Sequence, residues 1–204
     1  MRLPPSPFLA SLCHAWDGWN SALSTQRNLR IHVHIALALC VVCVPLGLEA
    51  LETALLLTLV GLVFFAELIN TALEAGVDLG SPGPHPLAKL AKDAAAAAVL
   101  VLALAAVAVF FVLFARQWPL LRSHWQQHGP AWALLGCSWL MAWVEWTWFR
   151  QRPIALVYRA IALCLWLGGW VYALSLSFWA LGLFLLLFSG VKKRVPPSPL
   201  SNGG

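Results

Sequence analysis

Three acidic side chains recur along one apolar stretch of the chain, at a spacing that places them on a common face of a helix. Glu74 and Asp78 follow Glu67 by seven and eleven residues. At about 100° per residue, this spacing keeps the three acids within about 20° of one line, with Asn70 about 60° away. Because ionised acids are costly in an apolar helix, a stripe of three needs a structural or functional reason.

Such a stripe has the chemistry of a divalent cation site. Mg²⁺ prefers carboxylate oxygens together with water and substrate phosphates. Lys92 and Asp93 stand at the start of the next apolar helix, so a base, metal ligands and a phosphate-binding cation can meet at one end of the two helices. The alternative is that the acids only pair with lysines inside a helix bundle, and the spacing leaves both interpretations open.

The composition of the whole chain is that of a membrane protein. Of its 204 residues, 61% are hydrophobic and 10% are charged, with a mean hydropathy of +0.79 and a net charge of +5. A soluble domain carries about a quarter charged residues. We therefore predict an all-α integral membrane protein, and the composition excludes a disordered chain, a secreted disulfide scaffold and a nucleic-acid-binding domain.

The elements that must position the acids are an interfacial helix and three membrane spans. The segment from Phe8 to Thr25 mixes apolar and polar residues and is too short and too polar to span, so it suits a helix lying in the membrane interface. The run from Ser81 to Pro86 is rich in proline and predicts a loop before the third span. The three predicted spans are Ile31–Leu48, Leu51–Leu79 and Leu87–Phe114.

A second hydrophobic half follows this bundle. The segment from Arg116 to Pro130 is a polar connection, in which Pro119 and the Gly129-Pro130 pair predict that one continuous helix cannot form. The chain from Leu174 to Phe178 allows only a very tight hairpin, so a single re-entrant segment there is the alternative to two separate spans. About three further transmembrane helices are predicted at Ala131–Phe149, Ile154–Leu174 and Ser175–Ser189.

The basic residues predict the orientation in the membrane. With six spans, all of the 13 lysines and arginines except Arg116 and Arg122 fall on one side. Because basic residues concentrate on the cytoplasmic side, we predict a multi-pass protein of the inner (plasma) membrane with both termini in the cytoplasm.

Two runs of the sequence resemble the signature of the prokaryotic diacylglycerol kinase and undecaprenol kinase family. They are Glu67-Leu-Ile-Asn70-Thr-Ala-Leu-Glu74-Ala-Gly-Val-Asp78 and His85-Pro-Leu-Ala-Lys89-Leu-Ala-Lys92-Asp93. Ala15-x-x-Gly18 and Arg27-Asn28-Leu29-Arg30-Ile31-His32 resemble the N-terminal pattern of the same family. The resemblance covers about residues 8–116 and divides the chain into a kinase-like membrane domain, residues 1–116, and a hydrophobic region without a recognised relative, residues 117–204.

The resemblance implies a small homotrimeric membrane kinase that moves the γ-phosphate of ATP, with Mg²⁺, onto a lipid hydroxyl. The acceptor implied is diacylglycerol or undecaprenol, and the wording His85-Pro-Leu-Ala-Lys89 is closer to the undecaprenol kinases. In this family the site is built between neighbouring subunits, without a P-loop. The sequence has neither a P-loop motif nor the glycine-rich loop of protein kinases.

The resemblance also assigns roles to individual residues. By matching position, Glu67 is the general base on the lipid hydroxyl and Glu74 is a magnesium ligand. His85 is expected to touch the nucleotide. The residues expected to order the nucleotide and the active site are Asn70, Asp78, Lys92 and Asp93.

One position departs from the family pattern. Gln26 stands where the family has a second metal-binding glutamate, just before Arg27-Asn28-Leu29-Arg30. The amide oxygen of Gln26 can still coordinate a hard cation, but a neutral ligand stabilises that cation less than a carboxylate does. This departure motivates one alternative function, a degenerate family member that acts as a membrane scaffold.

The second half offers two further features. Its tryptophans recur every seven residues and suit interfacial or lipid-facing anchoring, or else a groove for an isoprenoid chain; they are Trp118, Trp125, Trp132, Trp139 and Trp146, with Trp143 near the same face. Glu145 is expected to reach Arg150 or Arg152. A cation-coupled transporter is a second alternative function, and Glu145 would then have to face the acids of the first half.

Overall fold

The computed structural model describes residues 7–46, 48–81, 83–149, 155–168 and 176–188. Across these ranges the regular structure is helical and contains no strand, which confirms the prediction of an all-α protein. The helices in this part of the chain are α1 (Pro7–Thr25), α2 (Arg27–Cys43), α3 (Ala50–Gly80), α4 (Pro86–Val144), α5 (Ala155–Gly168) and α6 (Leu176–Phe188). A short 3₁₀ turn, Val44–Leu46, follows α2, and a π-helical turn, Glu145–Phe149, follows α4.

The junction between α1 and α2 is fixed by Arg30. Gln26 adopts an extended backbone conformation, with φ −88° and ψ 117°, and this ends α1 and begins α2. Arg30 Nη1 donates to the carbonyl oxygens of Leu23 and Ser24, each at 3.0 Å. Because the last carbonyls of a helix lack partners within it, this guanidinium both caps α1 and sets its angle to α2.

Polar contacts at both ends hold α3 antiparallel to α4. At the start of α3, Glu49 and Glu52 form a capping box, and Arg116 of α4 donates to Glu52 Oε1 at 2.9 Å. At the other end of α3, Asp78 pairs with Lys92 near the start of α4. The two helices therefore run side by side along the length of α3.

The predicted break between the two halves is wrong for the backbone, because α4 stays helical through Pro119 and Pro130. An interior proline removes one backbone donor and turns the helix axis, and it does not have to end the helix. A straight helix would carry Trp139 about 35 Å beyond Arg116. Trp139 instead contacts α2, so the axis of α4 must change direction between those two residues.

Among the described helices, two are long and apolar enough to cross a membrane: Ala50–Gly80 and the first part of α4, Pro86–Pro119. Only 6% of the most apolar window of that α4 segment is buried within the chain, against 33% for α3. Apolar side chains exposed on this scale indicate lipid or protein partners. The helices α2, α5 and α6 are shorter than the roughly 20 residues that a perpendicular span needs, so the number of spans stays a prediction.

The second half packs onto the first through α2. Buried side chains from both halves share one core, including Leu37 and Cys40 of α2, Leu135 of α4 and Leu185 of α6. Helices α5 and α6 are joined by two reciprocal bonds, Trp166 Nε1 to the Trp179 carbonyl at 3.0 Å and Trp179 Nε1 to the Trp166 carbonyl at 3.2 Å. Three stretches of this half lie outside the described residues: 150–154, 169–175 and 189–204.

Candidate active site

Glu67 is the most buried acid of the stripe on α3. Its residue exposure is 3%, and its Oε1 lies 3.1 Å from Nε2 of His32 on α2. The sequence assigned no role to His32, although an ionisable residue in an apolar helix is a signal that could have singled it out. The contact joins α2 to α3 at the carboxylate that the family resemblance assigns as the base.

One helical turn further along α3, Asn70 and Glu74 form a second polar pair. Asn70 Nδ2 donates to Glu74 Oε1 at 3.0 Å. Asn70 is buried, and its Oδ1 finds no hydrogen-bond partner within the part of the chain that the structure describes. A buried carbonyl oxygen beside a carboxylate is a pair of oxygen ligands suited to a hard cation.

The third pair crosses from α3 to α4. Asp78 Oδ1 accepts from Lys92 Nζ, and the aspartate side chain is 67% exposed. The polar stripe therefore runs from the buried Glu67 through the half-buried Glu74 to the exposed Asp78. A charged phosphate approaching from water would meet Asp78 and Lys92 first.

Within the described residues, the hydrogen bonds of two predicted site residues, Asp93 and His85, go to neighbours on α4. Lys89 Nζ lies 2.6 Å from Asp93 Oδ2, and both side chains are well exposed. His85 is the N-cap of α4, where its Nδ1 accepts a bond from the backbone N–H of Leu87 at 3.2 Å. The structure thus brings together Asp78 and Lys92, and gives Asp93 and His85 local partners.

The residues present offer part of a magnesium site. The described residues contain no group of three or more histidine, cysteine or acidic side chains placed to hold a metal ion. Two oxygen donors lie side by side, Glu74 and Asn70 Oδ1, whereas no contact within the described region joins the half-buried Gln26 to them. Mg²⁺ keeps several waters and takes phosphate oxygens from nucleotides, so an incomplete protein donor set fits this ion.

An apolar cavity of about 300 Å³ opens beside the His32–Glu67 pair, between α2, α3 and α4. Among the described residues that line it, His32 alone carries a polar side chain. The apolar lining includes Leu39, Val60, Phe64, Ala103 and Phe110. The site therefore joins an ionisable pair to a space suited to hydrocarbon.

The acid of the second half pairs with an arginine that the sequence did not single out. Glu145 is buried and forms a two-bond ion pair with Arg159 of α5, through Nη2 to Oε1 and through Nε to Oε2 at 3.3 Å. The expected partners Arg150 and Arg152 lie outside the described residues. Because α4 and α5 pack side by side, an arginine one helix away reaches Glu145 across the interface.

Two of the heptad tryptophans, and Trp143 near the same face, also contact protein. Trp139, Trp143 and Trp146 lie against His34 of α2. Trp118 does remain 61% exposed, as expected of an anchoring residue. The three tryptophans at His34 therefore have a packing role that the anchoring interpretation did not include, and Trp143 stays 39% exposed.

Comparison with known proteins places this site in a family. The prokaryotic diacylglycerol kinase family matches residues 13–114. A diacylglycerol kinase of Synechocystis sp. is 48% identical over 102 residues, which cover 50% of this chain and 58% of that protein. An undecaprenol kinase of Bacillus subtilis is 40% identical over 108 residues, covering 52% of this chain and 87% of that protein. The chain belongs to the prokaryotic diacylglycerol kinase family, as the sequence motifs predicted.

A further relative also carries the name of a diacylglycerol kinase. A diacylglycerol kinase of Escherichia coli is 34% identical over 101 residues, covering 49% of this chain and 82% of that protein. The chain spans 58% of the length of the Synechocystis relative. No solved structure matches the chain. The family match ends within the first part of α4, so α5 and α6 lie outside it.

Proposed function

We propose that the protein is a membrane lipid kinase, which transfers the γ-phosphate of ATP to the hydroxyl group of a membrane lipid. The observation that carries the proposal is Glu67, a buried carboxylate that contacts His32, the polar residue in the described lining of an apolar cavity. A lipid whose hydrocarbon chain occupies that cavity would present its hydroxyl group to this carboxylate. Family membership supports the same activity.

In the proposed reaction, Glu67 accepts the proton of the lipid hydroxyl as the oxygen attacks the γ-phosphorus. The bond from that phosphorus to the bridging oxygen of ADP breaks, and ADP leaves. His32 holds one oxygen of the carboxylate, which leaves the other free for the hydroxyl. The cationic Lys92 favours the nucleotide phosphates, and Asp78 orients it.

Glu74 and Gln26 would hold Mg²⁺ in this proposal, with Asn70 fixing Glu74 through its 3.0 Å bond. When bound, the ion would offset the negative charge of the ATP phosphates. Asn70 also has a buried oxygen to offer the metal–nucleotide complex. Gln26 supplies a neutral ligand in place of a charged one.

The assembly proposed is a homotrimer in the inner membrane, with six spans, α1 in the interface and both termini in the cytoplasm. The exposed apolar surface of α4 supports contact with lipid and with other subunits. Asp93 and His85 stand exposed at the start of α4, where a neighbouring copy could use them to complete a site. A cysteine introduced at Ser123 should react from outside the cell, and labelling only from the cytoplasm would contradict the six-span arrangement.

The activity is tested by transfer of labelled phosphate from ATP to diacylglycerol and to undecaprenol in parallel. The relatives carry both names, so the two acceptors are compared at equal mole fraction in the same detergent. We expect transfer to at least one acceptor, and transfer lower by about 10²-fold or more with Glu67→Gln. Absence of transfer to either lipid, at every magnesium concentration, would favour the scaffold function that Gln26 suggests. The transporter alternative loses support because Glu145 pairs with Arg159 within the second half.

A further inference from the structure

Two histidines of α2 face different halves of the molecule. His32 and His34 are two residues apart, which places them about 200° apart around the helix. His32 contacts Glu67 of α3, within the family match. His34 contacts Trp143 at the end of α4 and Trp146 in the π-helical turn that follows, and both lie beyond that match. The second half of the chain therefore packs against the side of α2 that is opposite His32.

Three tryptophans make this contact. Trp139 Nε1 donates to the backbone carbonyl of His34 at 3.0 Å. The His34 ring lies 5.3 Å from Trp143 at 72° and 4.7 Å from Trp146 at 40°, and it is buried. Since the Trp139 bond ends on the backbone, it constrains the axial position and rotation of α2 itself, beyond what ring contacts to a side chain would do.

The tryptophans are themselves anchored. Ser138, next to Trp139, donates from Oγ to the carbonyl of Ala162 on α5 at 2.9 Å. Glu145, next to Trp146, opens the π-helical turn and pairs with Arg159 of α5. Helix α5 thus fixes both ends of the tryptophan surface, and the surface can resist movement of α2.

We propose that Trp139 is a positioning residue for the site: it holds α2 so that His32 keeps its contact with Glu67. The catalytic consequence rests on the kinase function proposed above. The His32–Glu67 distance of 3.1 Å is near the upper end for a hydrogen bond, so a shift of a few tenths of an ångström weakens it. A misplacement of about 1 Å in a reacting group can cost about 100-fold in rate.

The first test compares Trp139→Phe with Trp118→Phe in the full chain. Phenylalanine keeps a ring but removes the N–H donor, and Trp118 is an exposed tryptophan whose ring contacts Phe114. We expect Trp139→Phe to lower kcat about tenfold with the KM for ATP unchanged, and Trp118→Phe to stay within about twofold of the parent. Equal rates for Trp139→Phe and the parent would overturn the proposal.

The same substitution in a His32→Leu variant distinguishes a positioning role of Trp139 from a general loss of stability. In His32→Leu there is no imidazole left to position, so adding Trp139→Phe should cause no further loss of kcat. A tenfold loss in both backgrounds would show that Trp139 acts elsewhere, and the proposal would be wrong. A parent-like rate for His32→Leu alone would also overturn it, because His32 would then have no role to support.

A spectroscopic measurement tests the same contact without catalysis. The imidazole nitrogens of His32 are observed by ¹⁵N NMR in the full chain and assigned with His32→Gln. We expect Trp139→Phe to move the Nε2 resonance and Trp118→Phe to leave it in place. If the parent shows no kinase activity, the proposed function fails, and this measurement still decides the proposal: an unmoved resonance in Trp139→Phe contradicts it.

Discussion

In the half of the chain that matches the family, polar side chains lie along α3 in a series that runs from buried to exposed. In the half outside the match, the acid Glu145 is buried and fully occupied by Arg159. The first arrangement leaves Asn70 Oδ1 without a hydrogen-bond partner among the described residues, so this oxygen is available to a substrate. The second leaves a pair whose groups satisfy each other. Polar groups in one half are thus suited to chemistry and in the other to packing.

The helices differ in the same way. Only 6% of the most apolar window in the first part of α4 is buried, whereas α5 and α6 are joined by reciprocal hydrogen bonds between Trp166 and Trp179. Close approach of the latter two helices depends on Gly182, where a Cβ atom would lie 2.0 Å from the Trp166 ring. Substitutions at the polar groups between Glu67 and Asp78 should therefore change activity, whereas substitutions at the contact between α5 and α6 should change stability.

The largest effect is expected at Glu67. Glu67→Gln should lower phosphate transfer by about 10²–10⁴-fold, because an amide cannot take the proton of the acceptor hydroxyl. Binding of ATP should change little, since the base acts on the acceptor. Transfer from labelled ATP measures the first quantity and calorimetric titration with a non-hydrolysable ATP analogue the second.

Glu52→Gln is the matched control for that experiment. Glu52 is also a buried acid on α3, but it contacts Arg116 at the opposite end of the helix. We expect this variant to keep its transfer activity and to lose some stability. Parent-like transfer by Glu67→Gln in a preparation shown to be trimeric would remove Glu67 from the mechanism.

The next effect is expected at Glu145. Glu145→Gln should lower the free energy of unfolding by about 3–5 kcal/mol, because it leaves the half-buried Arg159 guanidinium without its counter-charge. Unfolding in mixed micelles by added SDS measures the change. Lys89→Gln breaks an exposed pair on α4 and should leave the unfolding midpoint in place. Similar midpoints for the two variants would mean that the Glu145 pair does not stabilise the second half.

A smaller effect is expected at Gly182. Gly182→Ala should lower the free energy of unfolding by about 1–3 kcal/mol, because the new methyl group must displace the Trp166 ring. In Gly136→Ala, by contrast, the added Cβ meets no described atom within 4 Å beyond its own chain neighbours and helix backbone. The same SDS titration compares them, and equal stabilities would show that α5 and α6 can separate without cost.

The sequence predicted the helices of the first half closely where local signals exist. The second predicted span, Leu51–Leu79, corresponds to α3 at Ala50–Gly80, because a proline-rich loop follows it and Gly47 precedes it. At α4 the prolines gave a wrong prediction of where the helix ends. A proline can turn the helix axis without ending the helix, and it does not determine which contacts the turned helix makes. Glycines and prolines mark positions where a helix can end, but packing against other helices determines whether it continues past them.

Contacts between side chains on different helices could not be predicted from these local signals. The spacing of the acids on α3 placed Glu67 on a face, but only the packing of α2 brings His32 to it. Likewise, Glu145 was expected to reach a nearby arginine in sequence, whereas Arg159 approaches from the next helix. Periodicity describes one helix at a time, so contacts between helices lie beyond it.

The smallest effect is expected at Gln26, and it tests whether this residue is a metal ligand in the first half. Gln26→Glu should lower the magnesium concentration for half-maximal transfer about threefold, because a carboxylate oxygen attracts a divalent cation more strongly than an amide oxygen does. The lipid KM should not change. The competing view is that the site has adapted to the neutral amide, and then the added charge would repel ATP and depress activity. A magnesium titration of both proteins separates these views, since an unchanged or higher requirement in Gln26→Glu would show that Gln26 is not a weakened metal ligand.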